Sequence, residues 1–280
     1  MFFLRLYLLI TFGLFCSCQS PEAVIRIAGS STVLPVIEKA AAAYSKLHPH
    51  IRIQINTGGS GIGVNQIGLD KIDIGMISRD ISVDEIQAFP KTDFKTIIVG
   101  KDAVVPVVSN EIYEQGLIEL DLNTIGDIYR GKIKNWQDLG LKPNEILVID
   151  KEASRGTRQV FMKAILGNKN ARAIGVDLVL GHNNEVQTAI AQSQQAIGML
   201  SFAWLSPEVK ALAIKNIQGQ SIQANLTTIK LGKYPIVRSL GLLIDVNKPL
   251  NPDVESFLNY LLSEAGQAIV RELKYIPVDA

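Results

Sequence analysis

Three short segments rich in glycine and hydroxyl residues are the part of this sequence best suited to chemistry. They have the sequences GSST at residues 29–32, TGGSG at 57–61 and SRGTR at 154–158. Each precedes a stretch with helical spacing, and the first turn of a helix presents free N–H groups and a partial positive charge. Glycine lets the backbone approach a ligand closely, and hydroxyls add donors with little bulk. The segments therefore predict binding of a small oxyanion.

A purely structural role is the alternative for each segment taken singly. Serine and threonine are ordinary N-cap residues, and glycine-rich turns are common connectors. Repetition favours binding, because all three segments follow predicted strands. The carboxyl ends of the strands of an open parallel sheet line one crevice, so the three turns would face the same ligand.

Basic residues beside these turns would supply positive charge. Arg79 follows Ser78 at the end of one predicted strand, Lys151 stands in the same place after another, and Arg155 lies inside the third turn. A guanidinium can bind an oxyanion through two N–H groups at once. A micromolar site needs about 8 kcal/mol, and each hydrogen bond to a charged group contributes roughly 1.5–3 kcal/mol. Several turns and cations must therefore converge on one ion.

The elements that position these residues follow an α/β pattern. The isoleucines at 51, 53 and 55 alternate with polar residues, which is typical of a strand. Strands are predicted at 23–28, 51–55 and 72–77, and helices at 33–47 and 62–69. Strands that alternate with helices in this way predict a parallel sheet with crossover helices.

After Asp102 the pattern continues into an expected second lobe. An apolar strand pattern at 103–108 leads into it, and the apolar stretch from Tyr234 to Val246 leads back. Between these crossings lie helix patterns at 122–129 and 156–166 and strand patterns at 146–149 and 196–200. We predict two sheets flanked by helices and joined by a hinge of two crossings. Lobe I would comprise 24–105 and 235–280, and lobe II would comprise 106–234.

The N-terminus has the features of a lipoprotein signal peptide. Arg5 precedes an apolar run from Leu6 to Phe15, and the small residue Ser17 stands before Cys18, as in a bacterial lipobox. We predict a signal peptide at 1–17, a lipid on Cys18 that anchors the protein to a membrane, and a linker at 18–23. The protein would be exported to the periplasm or the cell surface. A cleaved signal peptide without a lipid is the alternative.

The composition excludes several classes of protein. The formal charge of +1, from 28 basic and 27 acidic residues, provides no basic excess for a nucleic acid. A hydrophobic fraction of 47% with mixed charges argues against a disordered chain. Both cysteines, Cys16 and Cys18, lie in the N-terminal segment, and there are only 3 histidines. We therefore expect no disulfide framework, cysteine nucleophile, metal site or cofactor.

Longer stretches surround these segments. They are AGSSTVLPVIEKAAAAYSKLHP, TGGSGIGVNQIGLDKIDIGMISRD, IYRGKIKNWQDLG, KEASRGTRQVFMKAILG, AIGMLSFAWLS and EAGQAIVRELKYIP. Together, and in this order, they resemble the phosphate-binding protein of bacterial high-affinity phosphate ABC transporters. The resemblance implies a two-lobed periplasmic-binding-protein fold of type II. Such a protein closes around one inorganic phosphate and delivers it to the transporter's permease without catalysis, and we expect a monomer.

The resemblance also implies which residues bind phosphate. The first two turns would contribute side chains and backbone N–H groups, the strand end would contribute a serine and an arginine, and the third turn would bind partly through its backbone. The implied residues are Ser31, Thr32, Val33, Ser60, Gly61, Ser78, Arg79, Arg155, Gly156 and Thr157.

Two positions differ from the family pattern. The third motif commonly has the pattern Arg-Glu-x-x-Ser-Gly-Thr, whereas Lys151 stands here at the arginine position and Arg155 at the serine position. Either residue could make the main basic contact in lobe II. Some family members use an aspartate to accept the phosphate proton, and Arg79 stands roughly at that place. The alternative acceptors are Asp73, Asp80 and Glu152.

Other functions remain open alternatives. One is a secreted hydrolase of phosphate esters with Ser31 or Ser60 as nucleophile, which would need a base or metal nearby. We expect the histidines, which are His48, His50 and His182, to lie at the surface. Another is binding of a different tetrahedral oxyanion such as sulfate or molybdate. A ligand-loaded sensor that docks on a receptor would have the same sequence features.

Overall fold

The computed structural model describes residues 23–278 of the chain. The predicted signal peptide, the lipid site at Cys18 and nearly all of the linker lie outside the described residues. Within the described range the chain forms twelve strands and ten α-helices. None of the helices in this range combines the length and the apolar character needed to cross a bilayer.

The bounds of these elements are as follows. The strands are β1 (Ala23–Gly29), β2 (Ile51–Thr57), β3 (Ile74–Ile77), β4 (Phe94–Ser109), β5 (Glu119–Asp121), β6 (Leu147–Lys151), β7 (Leu178–Leu180), β8 (Ala196–Ser201), β9 (Val209–Ala211), β10 (Ala213–Lys215), β11 (Ser221–Ile222) and β12 (Val237–Asp245). The helices are α1 (Leu34–Leu47), α2 (Ser60–Gly68), α3 (Val83–Ala88), α4 (Asn110–Glu114), α5 (Leu122–Tyr129), α6 (Gly156–Leu166), α7 (Asn183–Ala191), α8 (Leu226–Lys230), α9 (Pro252–Leu262) and α10 (Glu264–Glu272).

One curved sheet runs through most of the described chain. Its strand order is β2-β1-β3-β12-β4-β8-β6-β7, and β9 also pairs with β4. β1 is parallel to β2 and β3, and β6 is parallel to β7 and β8. β12 is antiparallel to both β3 and β4, and β4 is antiparallel to β8. The predicted α/β class with parallel pairing is therefore confirmed. A smaller sheet has the order β11-β10-β5.

The long strand β4 joins the two predicted sheets into one path. Its first part, from Phe94 to Ala103, pairs with β12, whereas Val104 to Val108 pairs with β8. The sequence pattern predicted only the second, continuously buried part. The first part alternates between buried and exposed positions and carries polar residues such as Lys95 and Thr96.

Two separate apolar cores lie on either side of the middle of β4. Val99 belongs to a core formed with β1–β3, α1, α9 and α10. Ala103 and Val104 belong to a core formed with β6, β8, α5 and α6 around Trp136 and Phe161. Because each part of β4 packs into a different core, this strand and its partner β12 connect the two halves of the molecule.

The glycine- and hydroxyl-rich segments lie at the carboxyl ends of strands. The first connects β1 to α1, the second connects β2 to α2, and the third connects β6 to α6. Since β1, β2 and β3 are parallel, the first two segments and Ser78 share one edge of the sheet.

Candidate functional site

The first turn, between β1 and α1, is almost fully buried. Ser30 N donates to Met76 O at 2.8 Å, and Ser30 Oγ accepts from Thr32 N at 3.2 Å. Ser31 and Thr32 are buried as well. α1 begins after Val33 without a side-chain cap. The hydroxyls of Ser31 and Thr32 are therefore not used to start this helix.

The second turn is attached to the first by backbone hydrogen bonds. Gly58 N and Gly59 N both donate to Gly29 O, at 3.1 and 3.0 Å. Ser60 is fully buried, and its Oγ accepts from Ser78 N at 3.0 Å. α2 also begins without a side-chain cap. The ends of β1, β2 and β3 thus form one continuous surface.

The third turn lies directly against the other two. Gly61 N donates to Ser154 O at 3.2 Å, and Ser154 Oγ donates to Gly58 O at 3.3 Å. Thr157 Oγ1 is 3.2 Å from Thr32 Oγ1. α6 begins at Gly156, again without a side-chain cap. The structure therefore brings all three predicted turns together, although they come from distant parts of the sequence.

Gly156 marks the point of closest approach between the turns. A Cβ atom at this position would lie 2.4 Å from Ser60 Oγ and 2.6 Å from Ser78 Oγ. Both distances are far shorter than van der Waals contact. A side chain cannot be accommodated here without displacing the surrounding hydroxyls.

The turns enclose a cluster of buried hydroxyl groups. Ser30 Oγ donates to Ser78 Oγ at 2.9 Å, and Ser60 Oγ is 3.4 Å from Ser78 Oγ. The cluster consists of Ser30, Thr32, Ser60, Ser78 and Thr157. Ser30 was not among the residues expected from the sequence. The Val33 N–H, implied as a ligand by the family resemblance, donates here to Ser30 O at 3.1 Å.

Arg238, on strand β12, supplies the cation at the centre of this cluster. Its Nη1 donates to Thr157 Oγ1 at 2.9 Å, and its Nη2 donates to Thr32 Oγ1 at 3.3 Å. Nη1 also lies 3.4 Å from Ser78 Oγ. One guanidinium therefore contacts hydroxyls from both sides of the cluster. Sequence reasoning missed Arg238, although a single arginine inside an apolar strand was a usable signal.

Asp102, on β4, holds Arg238 in place. Nε and Nη2 of Arg238 donate to the same Asp102 Oδ2, at 3.0 and 2.6 Å, and both side chains are buried. Burial raises the pKa of the Asp102 carboxyl, and the Arg238 guanidinium opposes that shift. The pair fixes the direction in which Arg238 presents its remaining N–H groups.

Lys151 is a second cation of the site, at the carboxyl end of β6. Only 2% of its surface is exposed, and no described residue lies within hydrogen-bond distance of its Nζ. Burial, together with the charges of Arg155 and Arg238, lowers the pKa of Lys151 to about 7. A buried ammonium beside two guanidinium groups is a strong attraction for an anion.

The Arg155 guanidinium uses only some of its N–H groups in hydrogen bonds to described residues. Its Nε and Nη2 donate to Glu152 Oε2 at 2.7 and 2.5 Å, whereas Nη1 has no hydrogen-bond partner among the described residues. The side chain is buried and packs close to Gly59 of the second turn. Both alternatives for the basic contact in this half of the molecule, Lys151 and Arg155, therefore lie near the cluster.

Arg79 is directed to a different partner. Its Nη1 and Nη2 donate to the two carboxylate oxygens of Glu85 at 2.8 and 2.6 Å, and Nη1 also donates to Asp80 O. Burial favours a higher pKa for Glu85, but the hydrogen bonds from Arg79 and Ser82 outweigh it and lower the pKa. The Arg79 side chain thus faces α3, whereas Arg238 is the arginine that contacts the hydroxyl cluster.

Known proteins are similar to this chain over nearly its whole length. Residues 17–265 match the family model of the PBP superfamily domain. The chain is 31% identical over 272 residues to the phosphate-binding protein PstS of Bacillus subtilis, which covers 93% of this chain and 82% of that protein. The chain belongs to the PstS family of phosphate-binding proteins. It is also 25% identical to PstS of Borreliella burgdorferi, over 94% of this chain and 93% of the other.

Solved structures show the same similarity for this PstS family member. One is described as a phosphate ABC transporter substrate-binding protein of Clostridium perfringens with bound phosphate. It has a TM-score of 0.81 and 29% identity, and the match covers 91% of this chain and 99% of that one. An ABC-type phosphate transport receptor from Vibrio cholerae has a TM-score of 0.73 and 25% identity, over 90% and 99% of the two chains. The fold is the two-lobed periplasmic-binding fold that the sequence resemblance implied.

The three carboxylates that the sequence offered as proton acceptors make no hydrogen bond to the clustered hydroxyls in this family member. Asp73 pairs with Arg26 at 3.2 Å before the start of β3. Asp80 is exposed, and Glu152 pairs with Arg155. The carboxylate joined to the hydroxyl cluster is Asp102, through its ion pair with Arg238.

The histidines of this PstS family member lie outside the cluster. His48 stacks on Tyr44 at a ring distance of 4.1 Å, with His50 beside it. His182 precedes α7 and donates its backbone N–H to Glu185. Among residues 23–278 no group of three histidine, cysteine, aspartate or glutamate side chains is placed to hold a metal ion.

Proposed function

We propose that this protein binds inorganic phosphate between its two lobes and delivers it to the permease of an ABC transporter. The observation that carries the proposal is the convergence of five buried hydroxyls on Gly156 and Arg238. The relatives support it, because PstS of Bacillus subtilis is named a phosphate-binding protein and the Clostridium perfringens structure contains phosphate.

Hydroxyls and cations would have different roles in binding a phosphate dianion. The hydroxyls and helix N-termini donate to the oxygens, and the cations neutralise the charge. The proposed ligands are the sequence-derived residues Ser31, Thr32, Val33, Ser60, Gly61, Ser78, Lys151, Arg155, Gly156 and Thr157, joined by Ser30 and Arg238. Arg79 is replaced in this set by Arg238, because Glu85 holds the Arg79 guanidinium.

A bound anion would also correct the electrostatic balance of the site. Lys151 is buried without a hydrogen-bond partner among the described residues. Its pKa is about 7 because of burial and the two neighbouring guanidinium groups. A phosphate dianion restores the preference for the charged ammonium. Phosphate binding is therefore favoured in part because the dianion offsets the repulsion among the cations of the site.

Closure of two lobes around phosphate is the proposed working motion. Lobe I would comprise 24–105 and 235–280 and lobe II 106–234. The change of apolar core along β4, between Val99 and Ala103, supports a boundary in this strand. The contacts between Thr32 and Thr157 and between Gly61 and Ser154 cross this boundary. A ligand that contacts both sides favours the closed arrangement by its additional contacts there.

The cellular setting completes the proposal. The apolar N-terminal run and the Ser17-Cys18 pair support export and a lipid anchor at Cys18. The protein would act as a monomeric binding protein without catalysis, at the membrane surface where its permease lies.

Isothermal titration with phosphate, sulfate and molybdate tests the proposed function. We expect micromolar or tighter phosphate binding by the wild-type protein. Gly156→Ala should weaken it by about 100-fold, because the added methyl group overpacks the hydroxyl cluster. Gly167→Ala is the matched control, since Gly167 ends α6 with φ 76° and has no other group within 4 Å of an added Cβ. It should lower stability by about 1 kcal/mol and leave phosphate affinity unchanged.

Two results would contradict the proposal. One is the absence of heat and of any thermal shift with micromolar phosphate. The other is equal phosphate affinity in the wild-type protein and a correctly folded Gly156→Ala variant.

A further inference from the structure

A crevice lies beside the strands that connect the two halves of the molecule. Its volume is about 730 Å³, far more than one phosphate ion occupies. One wall is the segment from Arg79 to Ser82 after β3, the opposite wall comes from α6 and α8, and the base is the segment 235–239. The volume lies within the usual range of small-molecule sites, roughly 300–1,000 Å³.

The lining of this crevice is strongly basic. Six of the lining residues are cations, of which Arg79 and Arg238 are paired with Glu85 and Asp102, and Asp80 is the one lining carboxylate. The cations are Arg79, Lys101, Lys163, Lys169, Lys230 and Arg238. None of the four lysines forms an ion pair with a described carboxylate, in contrast to Lys39, Lys132, Lys215 and Lys248. Cations gathered in a concave space focus a positive potential on a ligand.

Arg79 is fixed in one wall of the crevice. The residue is only 7% exposed and is held by two hydrogen bonds to Glu85. Because Glu85 balances the charge of this guanidinium, the lysines supply the unbalanced positive charge of the crevice.

Apolar residues line the space between the charged walls. Ile81, Val160, Ile229, Pro235 and Ile236 all contribute to the lining. An inorganic anion gains nothing from contact with apolar side chains. The carbon skeleton of an organic anion is stabilised when it buries apolar surface against them. Size, charge and apolar lining together indicate an organic ligand with negative charge at both ends.

We propose that this crevice binds a bisphosphorylated small organic anion as a second ligand, separate from phosphate in the hydroxyl cluster. One phosphoryl group would contact Lys101, and the other would contact Lys163 and Lys230 on the opposite wall. Arg238 lines the crevice and also contacts the hydroxyl cluster. A ligand that joins the two walls favours their approach, so its binding and phosphate binding should strengthen each other.

The test uses fructose 1,6-bisphosphate as the probe, with the protein loaded with phosphate at a small excess. Titration calorimetry should show probe binding, and uncharged fructose should give no signal. The double variant Lys163→Gln/Lys230→Gln should bind the probe at least about tenfold more weakly, because two charge-assisted contacts are lost. Lys134→Gln/Lys142→Gln is the matched control, since both lysines are exposed and lie outside the crevice.

A separate phosphate titration of each variant shows whether the hydroxyl cluster is intact, so failure of the crevice and failure of the proposed phosphate function are distinguishable. Probe binding that is weakened only by the crevice pair supports the proposal. Failure of the loaded wild-type protein to bind millimolar probe overturns it. Equal weakening by the two lysine pairs also overturns it, because it would show a general charge effect.

Discussion

The helices of this protein begin in two different ways. α3, α5, α9 and α10 each start with a polar side chain that accepts a hydrogen bond from an N–H group of the first turn. The capping residues are Ser82, Asp121, Asn251 and Ser263. α1, α2 and α6 have no side-chain cap, although serine or threonine residues stand beside each start.

The difference separates residues that serve folding from residues that serve the site. A side-chain cap contributes about 1 kcal/mol to stability. α1, α2 and α6 forgo this contribution, as does α4, whose N-cap Ser109 donates its hydroxyl to Ile190 O instead. At the starts of α1, α2 and α6 the hydroxyl groups contact one another between the turns, as with Thr32 and Thr157. Local rules of stability are commonly broken at functional sites. A serine or threonine at a helix start can therefore either cap the helix or belong to the hydroxyl cluster, and only its contacts show which.

Loss of charge at the centre of the uncapped turns should have the largest effect. Arg238→Met leaves Asp102 buried without its partner, so we expect the free energy of unfolding to fall by about 3–5 kcal/mol. Urea denaturation measures this change. Arg26→Met is the matched control, because the Arg26–Asp73 pair is largely exposed and should contribute about 1 kcal/mol or less.

The double variant Asp102→Leu/Arg238→Met sharpens this test. It removes both charges, so most of the lost stability should return while phosphate binding remains lost. If Arg238→Met and the wild-type protein were equally stable, the expected contribution of the Asp102–Arg238 pair to stability would be contradicted.

Lys151 should give the stability a distinct pH dependence. Its pKa is about 7 in the folded protein, whereas the ordinary value of a lysine is 10.5, so the unfolded chain binds more protons between these limits. Stability should therefore rise with pH from about 7 to 10.5, by up to about 1.4 kcal/mol per pH unit from this residue. Lys151→Met should remove that slope.

Unfolding curves at pH 7, 8 and 9 in phosphate-free buffer measure the difference between the two proteins. The exposed Lys142→Met serves as the control and should keep the wild-type slope. An identical slope in wild type and Lys151→Met would show that Lys151 does not titrate in this range.

The smallest expected effects test the two kinds of helix start directly. Ser263→Ala removes a cap, so it should lower stability by about 1 kcal/mol without changing phosphate affinity. Thr157→Val removes a hydroxyl of the cluster, so it should weaken phosphate binding by about tenfold. Thermal unfolding and phosphate titration of both variants provide the comparison. A Thr157→Val variant that loses stability but not affinity would show that this hydroxyl serves folding.

Much of the fold could be predicted because it depends on local patterns. α6 spans the predicted 156–166, and β1, β2 and α1 lie within a residue or two of their predicted bounds. Periodic apolar spacing and a proline in the first turn are local signals that do not depend on distant contacts. α3 was missed because its six residues include no buried side chain to mark a helical face.

The turns of the candidate site and its cations Lys151 and Arg155 were predictable, but the contacts of the two remaining arginines were not. Arg79 seemed suited to bind an anion, but Glu85 in the unrecognised helix α3 holds its guanidinium. Arg238 lies in an apolar strand that suggested only a crossing between lobes. A long basic side chain can reach several partners, and the choice among them depends on which residues surround it in space.

The sequence by itself determined much of the order of strands and helices and the position of three glycine- and hydroxyl-rich turns at strand ends. These features follow from apolar periodicity and from the chemistry of glycine and hydroxyl residues, which act over a few neighbouring positions. Only the tertiary structure decided which cation faces the hydroxyls. Asp102 and Arg238 are 136 residues apart in the chain, and β4 must pair with β12 before the carboxylate can hold the guanidinium against Thr32 and Thr157.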